Sequence, residues 1–122
     1  FLNFSKEKIA GFALLVFNLD FYLESIIEKP AALDFKKAAD KHGRVYISMN
    51  AFTFEGNVMY SFLRDCPINI DRDEKELPTA LLNMIQVHPT SVKGISMQEH
   101  VPDLTTKKDL LLLEDYLSTQ KR

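Results

Sequence analysis

The sequence predicts an α+β fold, helices packed on a small antiparallel sheet, and three observations carry that prediction. Residues 44–48 alternate strictly, with Val45 and Ile47 on one side and Arg44, Tyr46 and Ser48 on the other, the period of a half-buried strand. Two later segments switch to helical period. Val58, Met59, Phe62 and Leu63 form one stripe, and Leu77, Leu81, Met84 and Ile85 form another. Pro30, Pro67, Pro78 and Pro89 fall at segment edges, where proline is tolerated, rather than inside the periodic runs.

Taken in order, residues 9–17 (IAGFALLVF) are apolar throughout and fit two templates. As a helix they place Ile9, Phe12, Ala13 and Val16 on one stripe with Ser5 as N-cap; as a strand they are buried on both faces. Gly11, Val16 and the break at residues 18–20 favour the strand. Asp20 is expected to cap a short helix reaching Lys29, with Leu23, Ile26 and Ile27 inward and Pro30 ending it. A second helix is expected over residues 31–42, its Phe35 inward, closed by His42 and the C-terminal Gly43. The strand at 44–48 follows, Met49 and Asn50 turn the chain, and residues 51–54 run extended again with Phe52 and Phe54 on one face, so that a β-hairpin is expected. Asn57 is the expected N-cap of the next helix, which stops before Pro67.

Residues 67–70 read as a fourth strand, with Ile68 and Ile70 on one face. Residues 71–76 (DRDEKE) read as a charged loop. Pro78 sits at a favourable first helical position, and the helix it opens runs until His88-Pro89. Residues 90–102 lack periodicity and are expected to cross the surface irregularly. A terminal helix follows, opened by Thr106 and Asp109 as a loose capping box and presenting Leu110, Leu113 and Leu117 with Leu112 and Tyr116 as its apolar face.

Laid end to end, residues 9–70 read β-α-β-β-α-β, the split β-α-β order of a ferredoxin-like sandwich, and residues 71–122 add two C-terminal helices. Such a sheet carries its own helices on one face. The leucine-rich C-terminal helices are the expected cover of the other face. At 122 residues, a single domain with one hydrophobic core is expected.

Composition narrows the function classes. Apolar residues make up 46% and charged residues 26%, as in an ordinary soluble globular protein, and nine Phe with four Tyr supply large side chains in the absence of Trp. Fifteen basic against seventeen acidic residues leave a net charge of −2, so no global positive field attracts nucleic acid. One cysteine excludes an internal disulfide and mildly favours a reducing compartment, an intracellular location in cytoplasm or organelle matrix. Asn18 and Asp20 interrupt the most apolar run, which rules out a membrane-spanning helix there. The start at Phe1, without Met or a signal-peptide layout, is that expected of a processed or excised chain.

The residues His42-Gly43-Arg44-Val45-Tyr46-Ile47-Ser48, followed by Asn50-Ala51 and Gly56, together with the order of elements, resemble the N-terminal acylphosphatase-like domain of rhodanese-related tRNA uridine hydroxylases. In that family a strand of the form G-R-I-Y-I-S leads into a turn, a second strand and a helix. The resemblance covers residues 9–70 and implies a ferredoxin-like fold. The family's glycine between Ser48 and Asn50 is missing here. Its catalytic cysteine lies in a following rhodanese domain, so no catalytic role passes to Cys66.

Candidate chemistry is sparse. Cys66 with His42, His88 or His100 is the one set able to form a thiol–imidazole pair, but the neighbouring Asp65 raises a thiol's pKa, and a structural cysteine is the expected reading. No C-x-x-C or H-x-x-x-H spacing supports zinc. Asp71 and Asp73 begin like a calcium loop, but Glu76 stands where the loop needs glycine and Leu82 where it needs glutamate. Four glycines form no phosphate-binding motif. Glu114-Asp115, Lys36-Lys37 and Lys107-Lys108 read as solvent faces of helices. Tyr46, Phe52 and Phe54 beside Arg44 could stack RNA bases, yet the RNA-recognition signature is absent and core packing is the simpler account. No catalytic residue, metal or cofactor is expected. The expected function is a non-enzymatic interaction or assembly module with a protein partner, its surface formed by Arg44, Tyr46, Leu110, Leu113 and Leu117. An accessory domain of an RNA-modification or sulfurtransferase protein is the alternative, and a small hydrolase using Cys66 or a histidine the third.

Overall fold

A computed structural model describes residues 11–98, 104, 107 and 109–120. Strand β1 (Leu14–Phe17) opens the sheet, within the run for which the sequence favoured a strand; Ile9 and Ala10 lie outside the described residues. Strand β2 (Leu23–Ile27) returns antiparallel to it, pairing Leu14 with Ile27 and Phe17 with Leu23 across a bulge. This corrects the helix expected from Asp20 to Lys29. Asn18, not Asp20, organises the segment: its Oδ1 accepts the amides of Asp20 (3.0 Å) and Tyr22 (2.9 Å), and Phe21 takes a left-handed φ of 65°. The turn delivers Leu23, Ile26 and Ile27 to β1, where ladder bonds outweigh a weak helical stripe.

Helix α1 (Ala32–Ala38) begins with the Asp34 carboxylate accepting the Ala31 amide at 2.9 Å and packs on β1. It ends four residues short of the expected His42. Asp40 accepts the amides of His42 (2.8 Å) and Arg44 (2.9 Å), which bends the chain through Gly43 at φ 73°. Strand β3 (Tyr46–Ile47) then lies antiparallel on β1, giving the order β2-β1-β3.

Residues 51–54 do not pair with β3, so the expected hairpin is absent. Asn50 turns at φ 53°, with its amide donating to Ser48 Oγ (3.2 Å), and this redirects the chain out of the sheet. Helix α2 (Gly56–Asp65) follows with Glu55 at its N-cap; Asn57 lies inside the helix. Strands β4 (Ile68–Asn69) and β5 (Glu74–Lys75) form a separate hairpin. The expected fourth strand therefore never joins the main sheet, because its partner is the supposed charged loop. Lys75 Nζ donates to the Arg64 carbonyl, a cation at the helix C-terminus that seats this hairpin on α2. Helix α3 (Leu77–Val87) matches expectation, with Pro78 in its first turn.

Beyond α3, residues 90–98 are irregular, but Val92 and Gly94 bond to the free edge of β2: Leu23 donates to the Val92 carbonyl (2.8 Å) and the Gly94 amide to the Phe21 carbonyl (2.9 Å). Helix α4 (Asp109–Gln120) closes the chain; Thr106, the expected cap residue, lies outside the described residues. The protein is thus α+β, while the order along residues 14–69 is β-β-α-β-α-β rather than the split β-α-β order. The core lies between α2 and α3, where Met59, Cys66, Ala80, Leu81 and Met84 are buried and Ile26, Phe52 and Phe54 pack against them. Helix α3 packs on β2, and on α4 Leu110 and Leu117 are exposed.

Candidate functional site

The turn that ends α1 builds one rim of the site. Asp40 Oδ2 accepts Arg44 Nε at 2.7 Å and the Tyr46 hydroxyl at 3.2 Å, while Oδ1 holds the two amides of the turn. Partial removal from water opposes ionisation of Asp40, but the bonds from Arg44, His42 and Tyr46 outweigh it and hold this carboxyl well below the usual carboxylate range. The bond to Asp40 pushes the Arg44 guanidinium up, and desolvation followed by the same carboxylate pushes the Tyr46 phenol up. All three shifts keep Asp40 anionic, Arg44 cationic and Tyr46 neutral. The Arg44 guanidinium lies 5.9 Å from the Tyr46 ring centroid.

Behind this rim sits an aromatic cluster. Phe17 and Phe21 stack at 4.3 Å, and Tyr46 meets them edge-on at 5.6 and 5.0 Å. Gly94 passes so close that a Cβ there would fall 2.6 Å from the Phe21 ring and 2.7 Å from Phe17. Only glycine allows that approach.

In front of the cluster opens a groove of about 540 Å³. Residues 49–54 form one wall and residues 91–98 the other. Ile95 is 88% exposed and Met97 61%. Arg44 and Lys93 are the charged residues among the described lining; none there is acidic.

Of the surface expected from sequence, the structure brings Arg44 and Tyr46 together at this groove. Leu110, Leu113 and Leu117 lie on α4 and do not line it; Leu113 is half-buried. Sequence reasoning missed Asp40, Phe17, Phe21 and Gly94. The spacing of Asp40 four residues before Arg44, across Gly43, was a readable signal for the turn; the aromatic cluster was hidden by reading Phe21 as helical. Tyr46 shares the site with Arg44, and Phe52 and Phe54, the other aromatics weighed for base stacking, line the same groove while packing on the core and stacking on each other at 5.6 Å.

The remaining candidates lie elsewhere. The buried Cys66 sulfur meets the carbonyl oxygens of Pro67 and Glu76, each at 3.6 Å. His88 packs edge-on against Phe62, His42 is exposed in the α1 turn, and His100 lies outside the described residues. Glu76 is held by Arg72 (2.9 Å) and by the Asn69 amide (2.9 Å). Among the described residues, no three His, Cys, Asp or Glu side chains gather as a metal site, and no helix is long and apolar enough to cross a membrane. The chain matches no family model, no curated protein and no solved structure.

Proposed function

We propose that this chain is a non-enzymatic interaction or assembly module that binds a protein partner in the groove between residues 49–54 and 91–98. One observation carries the reading: a concave, mostly apolar surface stands open in front of a rim whose Arg44 and Tyr46 are both bonded to Asp40. Large apolar side chains clustered in a groove and rimmed by fixed polar groups mark interaction sites more often than plain surface. The exposed leucines of α4 (Leu110, Leu111, Leu112 and Leu117) offer a second contact patch in the same assembly.

The test is the mass of the chain in a gentle extract of its native source, by size-exclusion with light scattering, followed by the variants Ile95→Asp and Met97→Asp. Both side chains are exposed, so the fold tolerates the change. Co-elution in a larger assembly that these variants dissolve is expected. A native chain that runs as a monomer overturns the reading.

The resemblance of residues 42–56 to the tRNA uridine hydroxylase domain, with cationic Arg44 beside Tyr46, supports the alternative of an accessory domain in an RNA-modification or sulfurtransferase protein. RNA binding lost in an Arg44→Ala, Tyr46→Ala double variant would favour it over the module reading.

A further inference from the structure

The wall of the groove formed by residues 91–98 is fastened more lightly than the sheet and helix beside it. The chain leaves α3 through a turn in which the Ser91 amide donates to the His88 carbonyl at 3.0 Å. It then meets the free edge of β2 at one residue pair, Tyr22 with Lys93, flanked by the two bonds from Leu23 to Val92 and from Gly94 to Phe21. Residues 95–98 are all exposed and make no backbone hydrogen bond among the described residues. Val92 is half-buried against the core, while Ile95 and Met97 stand in solvent. Gly94 is the clip, since only a residue without a side chain lies this close to the Phe17 and Phe21 rings. By contrast, β1 and β2 pair continuously from Leu14–Ile27 to Phe17–Leu23, and α3 buries Ala80, Leu81, Met84 and Ile85.

Stability is distributed along a chain as its bonds and buried contacts are, so this segment opens at a lower free energy than the core on which it lies. We propose that residues 91–98 are a hinged strap, which swings off the β2 edge about the turn at residues 88–91 while β1, β2 and the α2–α3 core stay folded. Opening removes one wall of the groove and uncovers Phe17 and Phe21 where Gly94 lies against them. It also frees the Leu23 amide and the Phe21 carbonyl. Gly94 sets the closed position, because a side chain there meets the two rings and favours the open strap. The groove is therefore a gated surface, and this goes beyond the interaction-module reading: it holds whatever the groove takes.

The test is native-state amide exchange of the full chain, followed by NMR over a series of sub-denaturing urea concentrations. The Leu23 and Gly94 amides make the two bonds of the strap, and the Leu81 and Met84 amides report on α3. The strap amides are expected to be at least about tenfold less protected than the α3 amides and insensitive to urea, because opening exposes little surface. Protection of Leu81 and Met84 is expected to fall steeply over the same series. Two variants separate local from global opening. Ile85→Val weakens the core mildly and is expected to lower protection at Leu81 and Met84 by about twofold to tenfold, leaving Leu23 and Gly94 unchanged. Gly94→Ala is expected to lower protection at Leu23 at least about fivefold. Strap amides that lose protection in urea, or in Ile85→Val, as steeply as the α3 amides open only with the whole fold, and that result overturns the proposal. So does Leu23 protection that Gly94→Ala leaves unchanged.

Discussion

Helices α3 and α4 are both rich in leucine, and the protein uses them oppositely. In α3 the apolar residues Ala80, Leu81, Met84 and Ile85 share one face and are all buried. In α4 four leucines stand in succession, from Leu110 to Leu113, and sweep around the helix so that no single face can bury them. Leu111 and Leu112 remain 73% and 68% exposed. Apolar content is equal to the task of core formation only when its period matches the helix.

The largest expected effect of breaking this contrast is on the α3 side. Leu81 is fully buried between α3 and α2, so Leu81→Ala should cost about 2–5 kcal/mol in chemical denaturation, the transfer term plus the cavity left behind. A loss below about 1 kcal/mol would mean that the α2–α3 contact is not the core.

Next comes the groove. Gly94→Ala places a methyl against the Phe17–Phe21 stack and should cost about 1–3 kcal/mol through overpacking. In a Phe17→Leu background the same change should cost less, a non-additivity that only residues in contact show.

A smaller and pH-dependent effect belongs to Asp40. Its folded pKa lies below the ordinary carboxylate value, so its contribution to stability is complete above about pH 4 and disappears as pH falls through the folded value. Asp65, lowered by its bond to Arg64, acts in the same window, so the informative quantity is the difference between wild type and Asp40→Asn. That difference should shrink as pH drops below about 4; a constant difference down to acid pH would disprove the assignment. The smallest effect is expected of Leu111→Ala on α4, within about 0.5 kcal/mol.

Elements whose periodicity is local were legible in advance. The α3 stripe with Pro78 at its start, the α2 stripe ending before Pro67 and the alternation around residues 46–47 appear where their periods place them, while the apolar run that holds residues 14–17 fitted helix and strand alike. That Arg44 and Tyr46 share one side was legible because they alternate with Val45 and Ile47; that both reach Asp40 at the groove was not. Residues 23–27 were not legible, since Leu23, Ile26 and Ile27 satisfy a helical stripe and a strand nearly equally. The Asn18 turn and the ladder to β1 decide between them. Nor was the fate of residues 67–76, whose charged run looked like a solvated loop until β4 and β5 paired.

What the amino-acid sequence determined alone is therefore the α+β class, the two central helices and the side that Arg44 and Tyr46 share, because spacing along a chain carries that information. The tertiary structure decided which strands pair, that residues 51–54 stand outside the sheet, and that Gly94 presses on the Phe17–Phe21 stack. Strand pairing and close approach depend on residues distant in sequence, and their energy exists only once those residues meet.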